Sequence, residues 1–312
     1  MLEKMPKSNK AVVISNCQCL PLASTLTRLS ADTIFDHWGV HILPPDRRST
    51  LIAEFVERAR VEYDFVVTIP LGKEFDALSS DVINNTFEIP VFTISNIYFS
   101  GYHPDLTYLG GFAKRIVGPL GDYHSKMCLY AFANGLCVDD ALNLFSNETY
   151  AKVGYYDEFI SSFETLKNRD IHVDIRVTDI LPGILQDRFC FLSVNHPSLD
   201  LFVAYGDFII SYLKKRGLVR HSGLPADANL FKEGLAESVI FPIYREIAER
   251  HGVPRFGSYA FKPQGGSVNP IDLNAYIEAE YAVFSEVGVE PLVKSYNGSL
   301  VMKQFEMLEI VK

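Results

Sequence analysis

Short apolar runs that stop at small polar residues alternate, over the first hundred positions, with stretches whose apolar residues recur at helical spacing. Ala11-Val12-Val13-Ile14 is four apolar residues in succession, which suits a strand covered on both faces, and it halts at Ser15-Asn16-Cys17-Gln18. Strands are expected at Ala11 to Ser15, Thr33 to Trp38, Phe65 to Ile69 and Val91 to Ser95. After Pro21, leucines at 22, 26 and 29 predict a helix. Ser49 to Arg60 predicts another, with Leu51, Ile52, Phe55, Val56 and Ala59 on one face and Glu54, Glu57 and Arg58 outside. Pro44-Pro45, Pro70 and Pro90 punctuate these elements. Strand, helix, strand in alternation implies a mostly parallel sheet.

Beyond Gly121 the pattern changes to helix upon helix. Helices are expected at Ser125 to Asn134, Val138 to Phe145, Asn147 to Lys167, Leu199 to Arg216, Val239 to Arg250 and Leu273 to Val287, with one buried strand at Phe189 to Val194. No Gly/Ser linker and no internal repeat separates the halves. The expected fold class is α/β, an N-terminal mostly parallel sheet with flanking helices followed by a predominantly helical C-terminal lobe. The expected organisation is one compact unit over 1–312, with an α/β lobe at 10–118 and a mainly helical lobe at 119–312.

Composition narrows the function classes. A net charge of −9 over 312 residues argues against a general nucleic-acid binder, which needs a basic surface. The 22 phenylalanines and 16 tyrosines supply core and, where exposed, walls for a ring-shaped ligand. Five cysteines without scaffold spacing fit a reducing compartment, and no Cys/His pair has zinc-ligand spacing. The polar stretch Met1 to Lys10 precedes an apolar run too short for a signal peptide, and nothing approaches the ~20 apolar residues of a membrane span. A cytoplasmic protein without metal is expected. Gly-x-Ser-x-Gly, Walker and Gly-x-Gly-x-x-Gly patterns are all absent.

Polar chemistry collects just past the apolar strands, where open α/β sheets bind ligands. Ser15-Asn16-Cys17-Gln18 follows the first strand, Asn96 to Asp105 the fourth, and Asn195-His196-Pro197 the strand ending at Val194. Cys17 sits where the chain turns into a helix, so the helix N-terminus is expected to favour its thiolate; the competing reading is a buried cysteine that merely packs. His103 and His196 each precede a proline, which holds them extended, and this alone could be turn geometry. Asp105 could orient a histidine or cap a helix. Gly118-Pro119-Leu120-Gly121-Asp122-Tyr123-His124-Ser125-Lys126 reads as a Gly-rich turn opening a helix, with Asp122 as N-cap. For a phosphate-bearing ligand the basic candidates are Arg115, Lys126 and Lys262, with Lys114 and Arg255 behind them.

The strand-Ser-Asn-Cys-Gln opening, Tyr98-Phe99-Ser100-Gly101-Tyr102-His103-Pro104-Asp105, the Gly-Asp-Tyr-His-Ser turn and Asn195-His196-Pro197 together resemble the WcbI family of capsular polysaccharide biosynthesis proteins. The family opening is Gly-Asn-Cys-Gln, with Ser15 here in place of the glycine. The opening is also similar to that of SGNH hydrolases, with cysteine in place of serine. The resemblance implies a coenzyme A-binding bacterial acetyltransferase acting on a capsular sugar or its nucleotide- or lipid-linked precursor. Under it, His196, His103 or His124 would be the base and Cys17 either an acyl carrier or a bystander in direct transfer. Ser15, Asn16, Gln18, Asn195 and Asp105 would bind substrate or oxyanion, and Lys126, Arg115 and Lys262 would meet coenzyme A. A Cys17-based esterase or deacetylase, and a non-catalytic coenzyme A or sugar binder, remain open alternatives.

Overall fold

The computed structural model describes residues 9–111, 114–231, 239–263 and 269–308. Contacts group the chain into two units: Met1–Ile97, Leu166–Cys190 and Pro197–Gly234 in the first, Tyr98–Thr165, Phe191–His196 and Leu235–Lys312 in the second. The units are interleaved along the sequence, whereas the change of pattern after Gly121 suggests a single cut.

The first unit is built on a four-stranded parallel sheet in the order β2-β1-β3-β4, with β1 at Asn9–Ser15, β2 at Thr33–Gly39, β3 at Phe65–Thr68 and β4 at Val91–Thr93. Hydrophobicity tracks strand position. Central β1 buries Ala11, Val12, Val13 and Ile14 completely, and β3 is buried throughout. Edge strand β2 alternates, with Phe35 inside and Ile34 45% exposed. The register sets Ile14 beside Trp38 on one side and Thr68 on the other, and Ser15 beside Gly39.

Helix α1 (Cys19–Leu29) and helix α2 (Arg48–Glu62) connect the first three strands. Leu22, Ala23, Leu26 and Leu29 form the buried stripe of α1, and Pro21 falls in its first turn, where a missing N–H costs nothing. Helix Leu199–Lys214 packs closely on α1 at Gly206: a Cβ there would lie 2.8 Å from Thr25 Cγ2.

The second unit carries an antiparallel pair, Leu106–Tyr108 with Tyr123–Ser125, which sets Thr107 opposite His124. Helices Lys126–Ala133, Leu273–Val287, Val289–Lys294 and Tyr296–Gln304 belong to it. The expected helix Asn147 to Lys167 is two, Asn147–Lys152 and Glu158–Asp170, because the chain turns at Gly154 with φ +76°. The expected helix Val239 to Arg250 is helical only over Arg245–Arg250. Its first half is extended: Ile240 bridges Lys262 in antiparallel fashion, and Pro242 follows without a backbone N–H. No helix among the described residues is long and apolar enough to cross a membrane.

Candidate functional site

In the first unit the chemistry lies at the end of β1. Asn16 shapes this turn. Its Oδ1 accepts the Gln18 backbone N–H at 3.0 Å, its carbonyl accepts that of Cys19 at 3.0 Å, and its Nδ2 donates to Asn96 Oδ1 at 3.0 Å. Gln18 is buried and donates its Nε2 to the Ile97 carbonyl at 2.7 Å. Both amides thus tie the β1 turn to the chain that follows β4. Asn96, which the sequence places just past the fourth strand as it places Asn16 past the first, was not among the candidate binding residues.

The expected Cys17 thiolate is not what this turn produces. Burial pushes the thiol up to about 11; its own backbone N–H works against this and Cys19 adds to it. Helix α1 starts two residues later, the Cys19 N–H is taken by Asn16, and Pro21 has no N–H to offer. With so few free amide protons the helix end cannot repay desolvation, so Cys17 is a neutral thiol at physiological pH. Ser15 is buried beside Asn16.

In the second unit a cleft of about 240 Å³ is lined by Tyr108, Leu120, Tyr123, Asn195, His196 and Val239. Tyr123 donates its hydroxyl proton to Asn195 Oδ1 at 2.6 Å, and His196 Nε2 lies 3.3 Å from the same hydroxyl oxygen. A hydroxyl has one proton, so this phenol accepts from Nε2–H, and the lone pair of neutral His196 sits on Nδ1. Nδ1 is buried with no hydrogen-bond partner among the described residues. Burial lowers the His196 pKa to about 4, which keeps the ring neutral. Tyr123 was within reach of sequence reasoning only through the Gly-Asp-Tyr-His segment, and no motif pointed to Tyr108.

The other two histidines have different surroundings. His103 is 1% exposed, stands edge-on to Phe241 with centroids 5.9 Å apart, and has no partner for either ring nitrogen among the described residues. Desolvation drives its pKa to about 3; the Phe241 backbone, nearby but outside hydrogen-bond geometry, counters this only in part. His124 faces Glu280 Oε2 at 2.8 Å through Nδ1 and the Ile116 carbonyl at 2.9 Å through Nε2. Burial works against charge there, but the Glu280 carboxylate and the two hydrogen bonds prevail, and the pKa rises. Nε2 faces a carbonyl that can only accept, and Nδ1 is held by the Glu280 carboxyl, so His124 has no lone pair free for base catalysis, contrary to the expectation. Glu280 was legible as an anomaly, a carboxylate on the face of its helix that also buries Tyr276, Ile277 and Phe284.

Asp105 does not orient a histidine. Fully buried, it accepts Tyr155 O–H at 2.6 Å and Met127 N–H at 2.8 Å on Oδ1, and Tyr244 O–H at 2.6 Å on Oδ2. It lies over the start of helix Lys126–Ala133, where the dipole favours an anion. That helix is capped by Ser125, which accepts the Cys128 N–H at 3.0 Å, and not by exposed Asp122. The guanidinium of Arg115 lies 4.7 Å from the centre of the Tyr108 ring, and Lys262 pairs through its backbone with Ile240, next to Val239 of the cleft. Lys126 is half-buried and lines a different cleft with Tyr108. No group of three His, Cys, Asp or Glu side chains among the described residues is placed to hold a metal ion.

Residues 10–217 match the family model described as polysaccharide biosynthesis enzyme WcbI. The chain belongs to the WcbI family. A solved WcbI structure, described as that of a novel polysaccharide biosynthesis enzyme and as the native protein without a disulfide bond between coenzyme A and a cysteine, superposes with a TM-score of 0.72. The two share 14% identity over 96% of each chain, so the likeness is one of fold: an N-terminal four-stranded parallel sheet flanked by helices and a helical C-terminal part. A comparison with curated protein sequences finds no match. As a WcbI-family member the chain is a polysaccharide biosynthesis enzyme.

Proposed function

We propose that this enzyme moves an acetyl group from acetyl-coenzyme A to a hydroxyl of a sugar destined for capsular polysaccharide. The observation that carries the reading is His196 in its cleft, neutral, with its tautomer set by Tyr123 and Asn195 and its Nδ1 unclaimed. A sugar hydroxyl is a poor nucleophile, and a base that removes its proton as it attacks contributes ~10²–10⁴-fold. The proton passes to His196, the acceptor oxygen bonds to the thioester carbonyl carbon, the C–S bond breaks, and the thiolate of coenzyme A takes the proton back. Burial makes His196 a weak base in its cleft. Negative charge developing beside it favours the imidazolium and raises its basicity when the proton must move.

Arg115, against the Tyr108 ring, and Lys262, whose backbone pairs with Ile240, are the cations assigned to the phosphates of coenzyme A. Cys17 lies in the first unit and takes no part in the transfer proposed at His196. Its neutral state supports direct transfer over an acetyl-cysteine intermediate. Asn16 and Gln18 hold the turn that presents it.

The test is release of coenzyme A thiol, with mass analysis of the acceptor, for the wild-type enzyme and His196→Gln. The variant should lose at least ~100-fold in turnover with unchanged coenzyme A affinity. Wild-type turnover in the variant removes the base assignment. Free acetate without modified sugar makes the enzyme a hydrolase.

A further inference from the structure

A second cleft of about 300 Å³ lies in the same unit as His196, walled by Tyr98, Ser100, Lys126, Glu158, Asn297 and Gln304. Its charges balance. Half-buried Lys126 has no carboxylate within 4 Å among the described residues, yet Glu158 lines the same space. The remaining polar atoms include both donors and acceptors. Glu158 takes the Ser100 hydroxyl on Oε1 and the Ser161 hydroxyl on Oε2, which leaves about half of its ~4 lone-pair sites. Asn297 donates Nδ2 to the Tyr108 carbonyl at 2.8 Å and Gln304 donates Nε2 to the Val153 carbonyl at 2.9 Å, so each amide keeps its oxygen and its second N–H.

A carboxylate disfavours phosphate, and amides that each offer one acceptor and one donor suit the hydroxyls of a neutral molecule, which donate and accept alike. Apolar surface flanks them: Tyr98 is 37% exposed and Leu300 49%. An aromatic face and a leucine suit the C–H face of a pyranose ring. The volume is at the lower end for a small-molecule site, too small for coenzyme A and sufficient for one sugar ring. Tyr108 lines both this cleft and that of His196.

We infer that the cleft of Tyr98, Glu158 and Gln304 is a subsite for a neutral sugar ring, the neighbour in the acceptor glycan of the sugar that is acetylated. The inference rests on the sugar-transfer reading above for the identity of the glycan, but its binding chemistry is independent of catalysis. It separates the recognition of the glycan from the reaction, and it implies an acceptor of at least two residues.

The experiment uses the full chain and methyl glycosides of neutral hexoses as probes, with binding read by saturation-transfer NMR. At least one glycoside should bind, and Glu158→Gln and Tyr98→Ala should each weaken it about tenfold or more without lowering the melting temperature. Tyr98→Ala, at an exposed position, stands in should Glu158→Gln fail to fold. Absence of binding by every glycoside, or binding unchanged in both variants, overturns the subsite. So does competition by inorganic phosphate that Lys126→Met abolishes, which would make this an anion site. Glycoside binding that follows the prediction in an enzyme unable to transfer acetyl groups overturns the transferase reading alone. Acetyl transfer that proceeds while both variants bind glycoside normally overturns the subsite alone.

Discussion

His103 offers a direct measurement of what burial of an unpartnered imidazole costs. The folded chain keeps the ring neutral down to about pH 3, while the unfolded chain protonates it near 6.5. Because the folded pKa is depressed, the unfolded state binds more protons between these values. Stability is therefore complete above the unfolded pKa and is lost as the pH falls toward the folded one. Each pH unit corresponds to about 1.36 kcal/mol, so at pH ~4.5 this residue alone removes ~2.7 kcal/mol of the stability present at pH ~8. His103→Leu replaces the ring by an apolar group of similar size. It should leave stability at pH ~8 unchanged or raised by about 1–3 kcal/mol, since two buried nitrogens without partners disappear. Its advantage over wild type should then grow by ~2.7 kcal/mol on acidification. Urea unfolding followed by far-ultraviolet circular dichroism is the assay, because the single tryptophan, Trp38, lies in the first unit and His103 in the second. A wild-type-to-variant difference that stays flat across this range refutes a neutral buried ring. Loss of transferase activity at intact stability would place His103 in the chemistry instead.

Alkylation of Cys17 should be about 100-fold slower at neutral pH than that of a thiol at the ordinary 9.0 and should climb toward pH ~11, with exposed Cys137 labelled first; mass spectrometry across pH reads both. His124→Gln should cost most stability below pH ~6.5. The raised folded pKa makes the contribution of the Glu280 pair complete below the unfolded value and lost as pH rises through the folded one, as urea midpoints at several pH values will show. Asp105→Asn removes the charge shared by Tyr155, Tyr244 and the Met127 N–H. It should destabilise by about 3 kcal/mol and lower the melting temperature by ~5 °C, and an unchanged melt would contradict this account of the carboxylate.

Where local pattern and tertiary environment agree, the sequence is readable. β1 and β3 are continuous apolar runs because they are interior strands, and helix Leu273–Val287 is bounded as expected, by the Asp272 cap and by Gly288 at φ +83°. The failures lie where distant residues decide. Val239 to Arg250 has helical periodicity, but Lys262 claims Ile240 for an extended pair. The dipole argument for Cys17 counts the helix end and omits burial, the larger effect. For Asp105 the decisive partners, Tyr155 and Tyr244, are 50 and 139 positions away, beyond any spacing rule. His124 reads as an available base until Glu280, 156 positions on, is seen to hold its proton.

The interleaving of the two units has a consequence for how the chain is made. The first unit draws on three stretches and takes in its last at Pro197–Gly234, and the second ends with Leu235–Lys312. Neither inventory is complete until well over half of the polypeptide has left the ribosome, and no single cut yields one unit intact. Some defining contacts join segments far apart in sequence, as where helix Leu199–Lys214 packs on α1, a topology that folds slowly and leaves apolar surface waiting for its partner. Expression as separate domains should therefore give insoluble fragments, and slower translation or chaperone supply should matter more for yield than the stability of the finished protein.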